Sequence, residues 1–175
     1  MKNRFRILSE PSGFGVSFSG HRPEKLPSGK EKELLQSLVF QETKDAVKDG
    51  ARVFYSGMSR GIDLFAAELV LALRRTQPDI RLICACPYPA FFDSFSPAER
   101  YRADCILSEA DDIRFISGQY YSGVYFTRNR YLVDHSARLI AVLLDMHSGT
   151  GNTVRYAQKK GLDIRIVTLP VKPAN

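Results

Sequence analysis

Two short stretches hold most of the chemistry this chain could perform: Ser56-Gly57-Met58-Ser59-Arg60-Gly61-Ile62-Asp63 and Ser148-Gly149-Thr150-Gly151-Asn152-Thr153. Each sets two glycines among hydroxyl, amide or charged side chains. Glycine accepts positive φ and lets another group approach the backbone with no Cβ in the way. Amides at the start of a following helix can then donate to phosphate oxygens. In the first stretch Arg60 could add a charge-assisted fork, while Asp63 could bond a ribose hydroxyl or cap the helix. In the second, Ser148, Thr150, Asn152 and Thr153 beside Gly149 and Gly151 make an anion nest. Neither stretch matches the G-x-G-x-x-G fingerprint or the Walker lysine loop, since no Lys follows the glycines at Walker spacing. Ordinary NAD binding or ATP hydrolysis is therefore disfavoured.

Two further clusters belong with these turns. Ser19-Gly20-His21-Arg22 follows the first apolar run, where His21 could donate to phosphate or move a proton and Arg22 could clamp an anion. Bonding between neighbouring loops is the alternative role for that pair. Arg128-Asn129 opens a later helix, with ligand contact and helix capping as its two readings. A catalytic set is harder to assemble. Besides His21 and Asp63, the titratable candidates are Asp134, Asp145, Glu99 and Tyr101, and no Ser-His-Asp order or paired-carboxylate spacing stands out among them.

The elements that must position these residues follow from the apolar pattern. Strand-length runs alternate with helical segments, which argues for βαβ units around a mostly parallel sheet. Six strands are expected, at about Gly15 to Ser19, Arg52 to Tyr55, Arg81 to Ala85, Asp112 to Ile116, Leu139 to Leu144 and Asp163 to Thr168, the last five with buried-strand composition. Helices are expected at Lys30 to Lys48, Gly61 to Arg75, Pro97 to Glu109, Phe126 to His135 and Gly151 to Lys160. The second, containing LFAAELVLAL, is apolar around most of its circumference and should pack against the sheet and another element. In such a sheet, ligands bind beyond the carboxyl ends of the strands, and there the glycine turns, His21-Arg22 and Arg128-Asn129 all fall.

The 175 residues suit one domain, 1–175, which needs no disulfide or metal to bury about 70% of its unfolded surface. Residues 1–13, Pro87 to Ser96 and 170–175 are its expected loose parts, and Ser117 to Val124 an exposed loop able to cover a ligand. No signal-peptide or membrane-spanning apolar stretch occurs, which predicts a cytoplasmic protein without membrane insertion. Cys84, Cys86 and Cys105 are expected as reduced thiols, since a C-x-C without a second ligand pair lacks zinc spacing. The net charge of +6 favours anionic partners without choosing among them.

Ser19-Gly20-His21-Arg22-Pro23, SGMSRGID, Arg128-Asn129 and the late Gly-Thr loop, in that order, resemble the YpsA-like proteins of the SLOG superfamily, from about Phe14 to Val167. The first glycine turn is also similar to the S-G-x-A-x-G-I-D element of DNA-processing protein A. The resemblance implies that Gly57, Arg60, Gly61 and Asp63, with Gly149, Thr150 and Gly151, line a nucleotide pocket, and it implies no reaction. Lonely Guy phosphoribohydrolases of the same superfamily carry a catalytic glutamate after their P-G-G-x-G-T loop. Here the matching stretch is HSGTGNTVRYA, with Arg155 and no acid.

Together these readings predict an α/β, Rossmann-like three-layer sandwich, with a mostly parallel sheet of about six strands and helices on both faces. They predict a sensor or regulatory domain that binds a small phosphate-bearing ligand, a nucleotide or nucleotide derivative, and requires no cofactor or metal. The alternatives are an N-glycosidic hydrolase of nucleoside monophosphates and a single-stranded DNA-binding protein with Tyr120, Tyr121, Tyr125 and Tyr131 as stacking platforms. Nucleic acid is the less favoured partner, and a homo-oligomer is compatible with the sequence.

Overall fold

A computed structural model of the chain describes residues 13–170. They build one six-stranded sheet from β1 (Gly15–Ser19), β2 (Val53–Ser56), β3 (Arg81–Cys86), β4 (Asp112–Phe115), β5 (Arg138–Val142) and β6 (Asp163–Val167), in the order β4-β3-β2-β1-β5-β6. Every neighbouring pair is parallel. Parallel strands need crossovers, and five helices supply them: α1 (Gly29–Lys48), α2 (Ile62–Arg74), α3 (Pro97–Glu109), α4 (Val124–Asp134) and α5 (Gly149–Lys160). The expected sandwich is therefore present, and its sheet is parallel throughout.

Strand alternation divides the core between two helical layers. Val16, Phe18 and Phe54 point into the larger cluster with Leu35 and Val39 of α1 and Ala66, Ala67 and Val70 of α2. Phe18 and Phe54 stack across the β1–β2 pair at 6.1 Å. On the other face Tyr55, Ile83 and Ala85 meet Leu132 of α4, and Leu139 and Ala141 meet Val154 and Ala157 of α5. Each large apolar side chain so enclosed is worth about 1.5–3 kcal/mol. α2 packs on β1, β2 and β3 with its inner side and against α1 and α3 with its flanks, as its nearly all-round apolar sequence predicts.

Some boundaries differ from expectation for local reasons. β5 stops at Val142, and Leu144 turns its N–H to the His21 ring instead of continuing the ladder. α5 starts at Gly149 because the Ser148 hydroxyl caps it, accepting from Gly151 N–H at 3.1 Å. α4 starts at Val124, after Gly123 in the left-handed conformation. The two outer strands are half exposed rather than buried, with Ile113, Phe115 and Ile166 open to solvent. Charge pairs mark both edges: Arg114 with Asp112 at 2.7 Å and Arg165 with Asp163 at 3.0 Å, which discourages further strand pairing. Pro87 to Ser96 is anchored where looseness was expected, by a 3-10 turn over Pro89–Ser94 that buries Phe91 and Phe92. The expectations for residues 1–12 and 171–175 lie outside the described residues. Among the described residues no helix is long and apolar enough to cross a membrane.

Candidate functional site

The strand order reverses beside β1. The chain moves outward through β2, β3 and β4, then returns to the other flank of β1 with β5 and β6. Loops leaving β1 and β5 therefore diverge and leave a crevice at the carboxyl edge. That crevice encloses about 460 Å³ and is lined by Ser19, Gly20, His21 and Arg22 after β1, by Ser59, Arg60 and Asp63 after β2, by Tyr125, Arg128 and Asn129 of α4, and by Ser148, Gly149 and Thr150 of α5. Phe18, Glu24 and Lys25 complete its wall.

The first glycine turn spends much of its polarity on itself. Ser56 Oγ accepts from Met58 N–H at 3.1 Å and donates to the Asp63 carbonyl, while Asp63 Oδ2 accepts from Ser59 N–H at 3.3 Å. Met58 buries its side chain in the core with φ +59°. Gly61 has φ +91°, and a Cβ there would stand 2.5 Å from the His21 carbonyl oxygen. A Cβ on Gly57 would collide with the Arg128 guanidinium. These glycines thus allow close approach of the protein's own groups.

Arg128 is the hub. It is buried in the second turn of α4, with Nη1 donating to the Gly57 carbonyl and lying 3.5 Å from Asp63 Oδ2, and Nη2 donating to Ser59 Oγ at 2.9 Å. Burial pulls the guanidinium down and pushes the Asp63 carboxyl up, and each charge restrains the shift of the other. From Arg128 the bonding continues through Nε to Asn129 Oδ1 at 2.8 Å, from Asn129 Nδ2 to Thr153 Oγ1 at 3.0 Å, and from that hydroxyl to the Gly149 carbonyl at 3.0 Å. Arg128 and Asn129 cross-brace the two glycine turns.

The second turn is better placed to receive an anion. Gly149 and Thr150 are the first two residues of α5, so their N–H groups have no intrahelical acceptor, and both residues line the crevice. Gly151 N–H is already bonded to Ser148 Oγ. Gly151 also backs onto Met146, so a Cβ there would overlap that residue's carbonyl, whereas one on Gly149 would meet open space. Around these amides stand four cations, Arg22, Lys25, Arg60 and Arg128, against two carboxylates, Glu24 and Asp63. Arg60 pairs with Glu24 at 2.6 Å and reaches Glu99 at 3.6 Å; Arg22 lies over the Tyr125 ring at 5.8 Å.

His21 ties the β1 and β5 loops together, its Nε2 accepting Leu144 N–H at 3.1 Å, which puts the ring proton on Nδ1. Burial and then Lys25 lower its pKa from 6.5, with Asp145 pulling the other way. A folded value below the unfolded one gives stability that is complete above pH 6.5 and is lost as pH falls through the folded value. His21→Gln keeps an acceptor without a titration, and urea unfolding between pH 7.5 and pH 5 should show a flatter loss of stability than in the wild type. Equal slopes would assign the bond no part in acid sensitivity.

Of the remaining residues marked by the sequence, Asn152 and Thr153 face a neighbouring groove between α4 and α5. Ser56, Gly57, Met58, Gly61 and Gly151 are not among the residues that line the crevice. Asp134 sits at the opposite end of α4, bonded to the Tyr156 hydroxyl and Lys160, because α4 runs antiparallel to the strands. Glu99 belongs to the capping box of α3 with Ser96, and the Ser96 donors and Arg60 hold it below the ordinary carboxylate value despite burial. Asp145 is exposed and accepts from His147 N–H. Tyr120 and Tyr125 join Tyr88 and Phe91 in an aromatic cluster, while Tyr121 bonds Thr127 and Tyr131 stacks on His135. Cys84 and Cys86 are buried in β3, and burial pushes both thiols up. Glu24 and Lys25 belong to no sequence motif; Pro23, a common start for a short helical turn, marks the 3-10 turn that brings them in.

Comparison with known proteins agrees with this architecture. The family model described as the YspA SLOG family matches residues 16–169. A UPF0398 protein of Halalkalibacterium halodurans is 27% identical over 141 residues, 77% of this chain and 75% of that protein. Another, from Bacillus cereus strain B4264, is 24% identical over 153 residues, 83% of each. DNA processing protein A from Helicobacter pylori, whose structure is described for its single-stranded DNA binding mode, has a TM-score of 0.62 at 22% identity over 93% of this chain and 68% of its own. The Streptococcus pneumoniae protein of that name gives 0.61 at 19% identity over 93% of this chain and 52% of its own. At these identities the structural likeness concerns the fold. The family match runs from β1 to beyond β6 and includes every crevice loop: the chain belongs to the YpsA SLOG family.

Proposed function

We propose that the β1/β5 crevice binds a nucleotide or nucleotide derivative, seating a phosphate on the Gly149 and Thr150 amides, and that binding rather than turnover is its role. One observation carries this: Gly149 and Thr150, whose helix-start amides have no intrahelical acceptor, line a cationic crevice at the reversal of strand order. The positive end of the α5 dipole favours an anion there, and a volume of about 460 Å³ suits a small organic ligand. The Tyr125 ring, with Arg22 above it, offers a flat wall for a base. The carboxylates nearby favour binding over hydrolysis, since Asp63 is committed to Ser59 and Arg128 and Glu24 to Arg60.

A thermal-unfolding screen with nucleoside mono- and diphosphates tests the reading. At a concentration one hundred times Kd, a ligand should stabilise the protein by about 2.7 kcal/mol. Gly149→Val, whose side chain enters open space beside the amides, should stay folded and lose that response. An equal response in the variant, or none across the panel in the wild type, would overturn the proposal.

A further inference from the structure

Beside the crevice, α4 and α5 enclose a second concavity of about 400 Å³. Among the described residues its wall holds three cations, Arg130, Arg155 and Lys159, and no carboxylate. The nearest acid on these helices, Asp134, is taken by Lys160 and the Tyr156 hydroxyl. Two aromatic rings share the wall. Phe126 is 53% exposed on the first turn of α4, and Tyr156 lies under the Arg130 guanidinium at 5.3 Å. Arg155 is held in place by donating to the Met146 carbonyl at 2.7 Å. Asn129 lines both concavities, so an extended ligand could pass from one to the other across a single side chain.

Cations that pair with no carboxylate among the described residues, beside the exposed Phe126 ring, suit a phosphate that carries a base. We infer that the α4–α5 groove is a second phosphate-and-base subsite, and that the ligand of this protein has at least two linked nucleotides. The inference rests on the crevice reading for the first nucleotide and adds the class of ligand. Arg130 and Lys159 neutralise the second phosphate, and Phe126 stacks its base.

Affinities of 5′-AMP, the dinucleotide pTpT and 5′-phosphorylated dT10 should be measured for the wild type, Arg130→Ala/Lys159→Ala and the single charge reversal Lys159→Glu. Lys159 is exposed, so that reversal leaves the core untouched if the loss of Arg130 from Tyr156 disturbs packing. The wild type should bind pTpT and dT10 at least tenfold more tightly than AMP. Both variants should lose that advantage while keeping AMP affinity, and the salt slope for dT10 should shrink by about 0.7 for each phosphate no longer neutralised. Equal gain for pTpT and dT10 would assign a dinucleotide, and a larger gain for dT10 a strand. Oligonucleotide affinity no greater than that of AMP, or unchanged in both variants, would overturn the inference and leave the crevice reading intact. Groove-dependent binding of dT10 with no binding of AMP would retain the subsite and defeat the crevice reading.

Discussion

Replacing Arg128 with alanine is expected to lower the free energy of unfolding by about 3–5 kcal/mol. The side chain is enclosed, so its desolvation is offset by four partners: the Gly57 carbonyl, Ser59 Oγ, Asn129 Oδ1 and Asp63. Alanine removes all of them and leaves the Asp63 carboxylate buried with only Ser59 to bond it. Both glycine turns then lose their brace, so ligand affinity should fall along with stability. Arg128→Lys keeps the charge without the fork and should recover part of the loss. In Arg128→Met/Asp63→Leu no charge is stranded, and the double variant should be more stable than the two single losses added together. Equilibrium urea unfolding measures each value. A cost under about 1 kcal/mol for Arg128→Ala would show that the pair is solvated, as at a protein surface, and the brace slack.

Two glycines only two residues apart should respond to alanine in opposite ways. At Gly151 the new Cβ would lie 2.6 Å from the Met146 carbonyl carbon and closer still to its oxygen. Backbone on both sides resists the shift, so Gly151→Ala should cost about 1–3 kcal/mol through overpacking and weaken the Ser148 cap with it. At Gly149 nothing stands within 4 Å, and Gly149→Ala should change stability by less than about 0.5 kcal/mol. Thermal unfolding of the two variants side by side checks the contrast. Equal stability would mean that the Met146 loop moves freely. The same contrast makes Gly149 the position at which to block the crevice, because a larger residue at Gly151 would disturb the loop before it reached any ligand.

How far the sequence disclosed this arrangement depended on the range of the physics involved. Strands and helices were legible because apolar period and helix punctuation are local, and the gathering of loops after β1, β2 and β5 follows from parallel connectivity alone. Exposure of β4 and β6 was not, since a Val- or Ile-rich strand looks the same at the centre and at the edge of a sheet. The glycines were visible, but not what they approach. Gly57 makes room for Arg128, 71 residues away, and only the packing of α4 on the sheet creates that need. Arg128 itself resembles any arginine at a helix start until its burial is known. Asp134 is close in sequence to Arg128 and so reads as a neighbour of the ligand edge, yet the six residues between them carry it about 9 Å further along the helix, at 1.5 Å each, to the end away from that edge.

Ligand binding at the crevice depends on the amides at the start of α5. A titration of ¹⁵N-labelled protein with 5′-AMP, followed by amide chemical shifts, tests them most directly. The largest saturable changes should fall on Gly149 and Thr150, with smaller ones at His21, Arg22 and Lys25, and little change at the amino ends of the strands. Saturable shifts confined to another surface, or no shifts at millimolar nucleotide, would contradict it.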